Sequence, residues 1–174
     1  MSNESLKKEA GEMKLPATSR ETKPATLKGS APSVDRLSDL VCRELIKRAT
    51  DMLKYSYAPY SNFKVGAALM AKNRKIYTGC NIENAAFGPS NCAERTAFFK
   101  AVSEGDREFE AIAIVGGKDG KITDYCPPCG VCRQVMAEFC DPDSFFIILA
   151  KSEDEYWIYS LRELFPMGFT PEKL

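Results

Sequence analysis

Three cysteines and one glutamate form the most specific chemical pattern in the chain. Cys92 is followed two residues later by Glu94, and Cys129 and Cys132 form a Cys-x-x-Cys pair directly after Pro128. Three thiolates can hold a tetrahedral zinc ion and leave its fourth position open, which is typical of a catalytic rather than a structural metal site. Zinc lowers the pKa of water in that position to roughly 7. The pattern therefore predicts a hydrolytic zinc enzyme in which Glu94 moves protons without binding the metal.

The same cysteines allow two other interpretations. A lone Cys-x-x-Cys is also typical of a thioredoxin-like redox pair, but that function leaves Cys92 and Glu94 without a role. A structural zinc site with four sulfur ligands is feasible as well, because Cys126 precedes Cys129 by three residues and can complete the tetrahedron. Glu94 would again have no task. We therefore favour the catalytic zinc site.

The charge of the predicted site needs compensation. Three thiolates and one Zn²⁺ carry a net charge of −1, and helix N-termini offset part of it through their free N–H groups. Arg95 lies three residues after Cys92, so the two share a face of a helix. We expect Arg95 to contact the thiolates, and we regard Arg133, next to Cys132, as the weaker candidate.

Composition restricts the class of protein. The chain has 174 residues, 24 basic and 24 acidic side chains, no histidine and seven cysteines. Zero net charge argues against a nucleic-acid-binding protein, and the lack of histidine excludes Ser-His and Cys-His catalytic pairs. The sequence shows neither an apolar signal segment at its start nor an apolar run long enough to span a membrane. We expect a cytoplasmic protein with reduced thiols.

Residues 1–34 differ in composition from the remainder. They contain three prolines and no aromatic residue, the first aromatic residue of the chain being Tyr55. Such a segment cannot bury enough apolar area to offset its ordering entropy. We therefore predict a disordered N-terminal extension over 1–34 and one globular domain over 35–174.

Hydrophobic periodicity within the domain predicts alternating helices and strands. The expected first helix covers 37–53, with Ser33 or Asp35 as its cap. Two strands around a turn at 72–74 suggest a hairpin, and Gly116 and Gly117 are expected to end the third strand. This order predicts an α/β fold with a mixed sheet of about five strands between helices, and it puts both cysteine groups at helix starts that follow strands. The other expected elements are strands at 63–71, 75–81, 109–115, 145–150 and 156–160, and helices at 92–103, 128–139 and 161–165.

Several longer segments closely resemble cytidine deaminases of the small, homotetrameric, three-cysteine class. A Cys or His followed by x-Glu, together with Pro-Cys-x-x-Cys, is a known signature of zinc-dependent nucleobase deaminases. The similarity covers the chain from about residue 36 to its C-terminus. The segments that carry it are YSNFKVGAAL at 60–69, GCNIENAAF at 79–87, CAERTA at 92–97 and PCGVCRQ at 128–134.

The resemblance implies the remaining site residues and partners. It implies a cytidine-deaminase-like α/β/α fold, one Zn²⁺ per subunit, and a homotetramer with shared active sites. Asn81 and Glu83 would bind the ribose, the Ala93 N–H would meet the pyrimidine 2-oxo group, and Phe63 would pack near the nucleoside. Residues reaching a neighbouring subunit's site would be Ala85, Phe87 and Phe169.

The implied reaction is the hydrolysis of cytidine, and of 2′-deoxycytidine, to uridine or deoxyuridine and ammonia in pyrimidine salvage. Two alternatives stay open, one within the same fold and one from another functional class. A deaminase of the same fold could act on another cytosine-containing small molecule, such as a nucleoside antibiotic, although the Asn81 and Glu83 pair favours a plain nucleoside. A catalytically inactive zinc-binding module is the other alternative, and the presence of Glu94 argues against it.

Overall fold

The computed structural model describes residues 37–173, so the expected disordered extension over 1–34 lies outside the described residues. The first helix, α1 (Asp39–Asp51), is followed by a 3-10 helix at Met52–Tyr55. Its N-cap is Ser38, whose hydroxyl accepts from the Val41 N–H. The prediction of Ser33 or Asp35 as the cap was wrong. Ser38 offers the same kind of oxygen acceptor directly before the first helical turn.

Five strands form a single mixed sheet, as predicted. Their order is β2-β1-β3-β4-β5, with β3 and β4 parallel and every other neighbouring pair antiparallel. The hairpin of β1 and β2 turns where the sequence indicated. The strands are β1 (Phe63–Ala71), β2 (Ile76–Cys80), β3 (Phe109–Lys118), β4 (Phe146–Ala150) and β5 (Tyr156–Ser160).

Strand β3 continues through Gly116 and Gly117, where the sequence suggested that it ends. These glycines pair with Val65 and Lys64 of β1. A Cβ atom at Gly117 would lie 1.8 Å from the Lys121 carbonyl oxygen. The glycines therefore allow the chain that follows β3 to pass close to the strand, and they do not end the strand.

The other helices in the described part of the chain are α2 (Ala93–Ser103), α3 (Gly130–Phe139) and α4 (Leu161–Leu164), and a 3-10 turn follows at Pro171–Lys173. Helix α3 begins two residues after Pro128, because Cys129 is its extended N-cap. Helix α4 has a capping box formed by Ser160 and Glu163. Among the described residues, none of the helices has the length and apolar character needed to cross a bilayer.

The sheet carries an apolar core on each face. One core packs α2 and α3 against the sheet through side chains such as Phe98 and Met136, and the other packs α1 through Leu45 and Ile46. The prediction of a sheet between helices is therefore confirmed. This packing fixes the start of α2 and the start of α3 on the same side of the sheet.

Gly79, in β2, allows α2 to lie directly on the sheet. A Cβ atom at this position would lie 2.3 Å from the Ala93 carbonyl oxygen and 2.6 Å from the Ala97 nitrogen. Both are backbone atoms of the helix, which cannot move aside as a flexible side chain can. The first turn of α2 is therefore held against β2 by the absence of a side chain.

Candidate metal centre

The structure brings together the three cysteines that the sequence selected. The sulfur atoms of Cys92, Cys129 and Cys132 all lie within 4.8 Å of one another. Cys92 and Cys129 are 3.9 Å apart, and Cys129 and Cys132 are 3.6 Å apart. Zinc–sulfur bonds of about 2.3 Å in a tetrahedron separate the sulfurs by roughly 3.8 Å. The donor set and its spacing therefore fit zinc.

Two helix N-termini position these sulfurs. Cys92 is the N-cap of α2 and Cys129 the N-cap of α3, both with extended backbone, while Cys132 lies in the first turn of α3. Neither N-cap sulfur caps a backbone N–H group of its own helix. Free N–H groups and the positive end of each helix dipole thus lie close to the sulfur cluster, where they stabilise negative charge.

Cys126 is not a member of this cluster. Among residues 37–173, the sulfurs that lie within mutual reach are those of the three cysteines named above. The Cys126 sulfur lies instead against Gly116, where a Cβ would approach it to 2.9 Å. Burial raises the pKa of the Cys126 thiol to about 12. The geometry thus favours three sulfur ligands over the four-sulfur structural alternative.

The thiols of the cluster share their protons unequally. Hydrogen bonding from Cys132 lowers the pKa of Cys92 to about 5, with a further contribution from Arg95. The same pairing, together with burial, raises the pKa of Cys132. The protein therefore favours a thiolate at Cys92, and a bound dication would favour the thiolate form at all three positions.

Arg95 lies beside the sulfur of Cys92. Its Nη2 donates to the Ser90 carbonyl at 3.1 Å and lies 3.6 Å from the Cys92 sulfur. Its Nε is buried and has no hydrogen-bond partner among the described atoms. Arg133 instead donates to the carbonyl oxygens of Pro128 and Leu164. It therefore links the start of α3 to the end of α4, and these hydrogen bonds do not go to the sulfurs.

Glu94 is the one charged side chain that is buried among the described residues, with 5% of its surface exposed. Burial raises the pKa of its carboxyl group to about 7, and the negative charge of Cys92 adds to the effect. A carboxyl group with this pKa can take up and release a proton near neutral pH. Its position in the first turn of α2, two residues after Cys92, puts this proton carrier beside the sulfur cluster.

The side chains of Asn81 and Glu83 are held by β1 and by the segment that precedes it. Asn81 accepts from Ser56 and Val65 and donates to the Phe63 carbonyl. Glu83 accepts from the Ser61 hydroxyl and from the backbone N–H groups of Tyr60 and Ser61. These donors, the Ser61 hydroxyl first among them, lower the pKa of Glu83, so it is a carboxylate at neutral pH.

Three phenylalanines named from the sequence are exposed. Phe63 is 41% exposed, Phe169 is 58% exposed, and Phe87 is 85% exposed with a φ of 59°. Ala85, close to Phe87, is exposed as well, whereas Ala93 is fully buried. Core packing therefore does not account for the phenylalanines, although it was the simplest alternative for each.

A cavity of about 390 Å³ lies elsewhere, between α3, α4 and the C-terminal residues. Its lining includes Ala137, Leu161 and Phe165 and none of the residues predicted to act in the site. The sulfur cluster and the cavity are therefore separate features.

The hydroxyl groups of Ser56 and Ser61 were missed by the reasoning from sequence. Each bonds to a side chain more than twenty positions along the chain, Asn81 and Glu83 respectively. Residue spacing gives no signal for such contacts, because they depend on how a loop lies beside β2.

Comparisons with known proteins agree with the geometry. Residues 41–148 match the family model of the cytidine and deoxycytidylate deaminase zinc-binding region. The chain is 46% identical over 131 residues to a cytidine deaminase of Sporosarcina psychrophila, covering 75% of this chain and 93% of that protein. It is 42% identical over 130 residues to a probable cytidine deaminase of Dictyostelium discoideum, covering 74% and 84%.

A solved structure is similar as well. The crystal structure of cytidine deaminase from Burkholderia pseudomallei superposes with a TM-score of 0.66 at 44% identity, over 72% of this chain and 97% of that chain. The region that matches the family model, 41–148, contains all three cysteines of the sulfur cluster.

Proposed function

The chain belongs to the family of zinc-binding cytidine and deoxycytidylate deaminases, and from that premise we propose how its own residues convert cytidine and water to uridine and ammonia. The observation that carries the proposal is the cluster of three sulfurs at zinc-binding spacing beside the buried Glu94. A Cys-x-x-Cys redox pair would leave Cys92 of the cluster unused, and a purely structural metal site has no task for a carboxyl group with a pKa of about 7, which takes up and releases a proton near neutral pH.

Cys92, Cys129 and Cys132 would hold the zinc ion, and Arg95 would offset part of the negative charge of the sulfurs. When bound, zinc lowers the pKa of a water molecule and so provides a nucleophile at neutral pH. The helix N-termini that carry Cys92 and Cys129 also stabilise the anionic ligands. A hydrolytic site needs this open coordination position, and three protein ligands leave one.

Glu94 moves the protons of the reaction. It takes one proton from the attacking water as the oxygen bonds to C4 of cytosine, and it passes that proton to N3. It then carries the second proton from the new C4 hydroxyl to the amino group. The C4–N bond breaks, ammonia leaves, and the ring keeps the carbonyl of uridine. A pKa of about 7 suits a group that must accept and donate in one cycle.

The nucleoside is held by residues around this centre. The Ala93 N–H donates to the pyrimidine 2-oxo group, Phe63 packs near the nucleoside, and Asn81 and Glu83 bind the sugar. The hydrogen bonds that fix Asn81 and Glu83 support this role, because a pre-arranged polar pair recognises a ligand at low entropic cost. Recognition of this kind does not require the 2′-hydroxyl, so 2′-deoxycytidine is also a substrate.

The active form is a homo-oligomer, a tetramer, with one zinc ion per subunit. Ala85, Phe87 and Phe169 would reach the site of a neighbouring subunit. Their exposure supports this arrangement, since Phe87, with 85% of its surface exposed, is accessible to a second subunit. The reaction serves pyrimidine salvage, and a cytoplasmic location is supported by the seven cysteines, all of which are free.

An ammonia-release assay with the zinc-loaded protein tests the function. We expect turnover of cytidine and 2′-deoxycytidine, with uridine or deoxyuridine as the product. Cys129→Ala is the matched control, because two remaining sulfurs hold zinc poorly, and it should lose both zinc and activity. A fully zinc-loaded protein that releases no ammonia would identify an inactive binding module. Release from another cytosine compound alone would identify a deaminase of different specificity.

A further inference from the structure

The carboxylate of Glu83 has most of its hydrogen-bonding capacity in use. Its Oε2 accepts from the backbone N–H groups of Tyr60 (2.9 Å) and Ser61 (3.3 Å), and its Oε1 accepts from the Ser61 hydroxyl (2.5 Å). A carboxylate offers about four lone-pair positions, so one position, on Oε1, stays available. Glu83 can therefore accept one more hydrogen bond and, being ionised, can donate none.

The side-chain amide of Asn81 is used to a similar degree. Its Oδ1 accepts from the Ser56 hydroxyl (2.5 Å) and from the Val65 N–H (2.8 Å), while its Nδ2 donates to the Phe63 carbonyl (2.8 Å). The Val65 N–H requires an acceptor, which settles which end of the amide is oxygen. One N–H of the amide group is then left. Asn81 can donate one more hydrogen bond and accept none.

These two residues act on the same side of the chain. Ile82, between them, bridges Tyr57 and Asn91 in extended backbone, and side chains two positions apart in extended chain point the same way. A single free donor on Asn81 then lies beside a single free acceptor on Glu83. One hydroxyl group satisfies both, by donating to the carboxylate and accepting from the amide.

Given that Asn81 and Glu83 bind the sugar, as proposed above, we propose that Ser56 and Ser61 are positioning residues for nucleoside recognition. Their hydroxyl groups fix Asn81 as a donor and Glu83 as an acceptor for one sugar hydroxyl. Neither serine touches the reacting atoms in this proposal. Each acts through the residue it bonds.

The orientation of the Ser61 hydroxyl is itself fixed. Its oxygen accepts from the Phe63 N–H at 2.9 Å, which directs its proton toward Glu83. The turn that holds it is anchored as well, because Asn62 adopts a φ of 56° and its carbonyl accepts from the Asp119 N–H at 2.7 Å. A rigid loop thus sets the rotamer of the carboxylate.

Removing one hydroxyl should weaken binding and leave the chemistry intact. In Ser61→Ala the two backbone N–H groups still hold Oε2, but Oε1 loses the partner that sets its position. In Ser56→Ala the Asn81 oxygen keeps Val65 and loses its second donor. Hydrogen bonds to charged or well-ordered groups of this kind correspond to about a tenfold change in binding. We expect KM for cytidine to rise about tenfold in each variant, with kcat within about twofold of wild type.

The decisive experiment compares substrates that lack one sugar hydroxyl each. Ammonia release is measured for zinc-loaded wild type, Ser56→Ala and Ser61→Ala with cytidine and its 2′-deoxy, 3′-deoxy and 5′-deoxy analogues. The variants should lose about tenfold in kcat/KM on cytidine and on two of the analogues. On the one analogue that lacks the recognised hydroxyl, wild type and both variants should agree within about twofold. Any other pattern, including no loss on cytidine, would overturn the proposal.

Three further measurements separate this role from a general loss of structure. Ser61→Thr keeps the hydroxyl and should restore KM. Ser103→Ala is a matched control, because Ser103 is exposed and its hydroxyl bonds only to the Lys100 carbonyl among the described residues; its kinetics should not change. If Ser61→Ala fails to retain zinc, Ser56→Ala carries the same prediction through Asn81. Wild-type turnover of cytidine tests the proposed function independently of all these variants.

Discussion

Glu94 combines two properties that conflict for a purely structural residue. Its carboxyl group is buried, and its pKa of about 7 leaves it partly ionised at neutral pH. A buried charge costs stability unless it is paired. A residue kept in this state is therefore one whose proton the protein uses, and glutamine of the same shape should be tolerated by the fold.

The substitution Glu94→Gln removes the proton carrier and keeps the packing. We expect turnover of cytidine to fall by about 10²–10⁴-fold, because one group serves as both acid and base. Zinc content and the midpoint of thermal unfolding should stay at or above the wild-type values. Retention of more than a tenth of wild-type turnover would remove Glu94 from the mechanism.

The residues found from sequence are those whose chemistry demands fixed types at short spacing. Cys92 and Glu94 lie two positions apart, and Cys129 and Cys132 lie three apart, so one helical turn already brings each pair together. Asn81 could be named by resemblance, but its partners could not. The bond from Ser56 to Asn81 forms only because the segment before β1 lies beside the end of β2 in the fold.

At the scale of elements, the position of α2 depends on a glycine that carries no chemistry. Gly79 lies in β2, and its lack of a side chain lets the backbone of α2 approach the sheet at Ala93 and Ala97. Cys92 and Glu94 both lie in the first turn or cap of that helix. Any shift of α2 away from β2 therefore moves a metal ligand and the proton carrier together.

Gly79→Ala should disrupt both stability and catalysis. The added Cβ would lie 2.3 Å from a backbone oxygen, so the helix must shift, and overpacking of this kind costs about 1–3 kcal/mol or more. We expect a lower unfolding midpoint, weaker zinc retention and at least about tenfold lower turnover. Gly88→Ala is a suitable control for stability, because a Cβ atom at this position would lie 3.9 Å from its nearest neighbour, the Ala86 carbonyl oxygen. Equal midpoints for the two variants would contradict the role given to Gly79.

Element boundaries show where local patterns mislead. The two strands β1 and β5 were predicted with their observed limits, because a polar turn precedes each strand and a turn or a helix start follows it. Strand β3 was predicted too short, since Gly116 and Gly117 read as a stop when considered alone. Their pairing with β1 is long-range, and long-range pairing outweighs local propensity in sheets.

At the scale of the whole molecule, the exposed aromatic residues predict that one chain is not the functional unit. Phe169 is five residues from the C-terminus, and its carbonyl is held by the Gln134 side chain at 2.8 Å while its ring remains 58% exposed. The backbone of Phe169 is thus fixed by a hydrogen bond while its ring stays exposed, and this arrangement suits contact with another subunit.

Phe169→Ala should weaken the use of cytidine through KM by about ten- to a hundredfold, by analogy with the roughly 1–3 kcal/mol of aromatic stacking on a nucleobase. Zinc content should not change, because the ring is not a ligand. Sedimentation of the wild-type protein should show an oligomer under assay conditions. A fully active monomer would reject the shared site and leave the deaminase assignment in place.

Deletion of residues 1–33 should leave stability and turnover nearly unchanged. The segment has no aromatic residue, so it offers little apolar surface for docking. It also lies outside the match to the family model, which begins at residue 41. The measurement is the unfolding midpoint and kcat/KM of the shortened chain beside the full one. A large drop in the midpoint would show that part of the segment packs against the domain.

The two helices that begin at cysteine ligands lie on either side of β3 along the chain: α2 precedes this central strand of the sheet, and α3 follows it. A metal ion held at both starts is in effect a cross-link that spans this strand, and it closes a loop of about 37 positions between Cys92 and Cys129, which restricts the unfolded chain. Zinc binding is thus coupled to folding, because the folded chain holds the ion far better than the unfolded chain does. Free zinc therefore raises the unfolding midpoint by mass action. Local opening of the first turn of α2 or α3 would move a metal ligand and release zinc, so metal loss should accompany such opening.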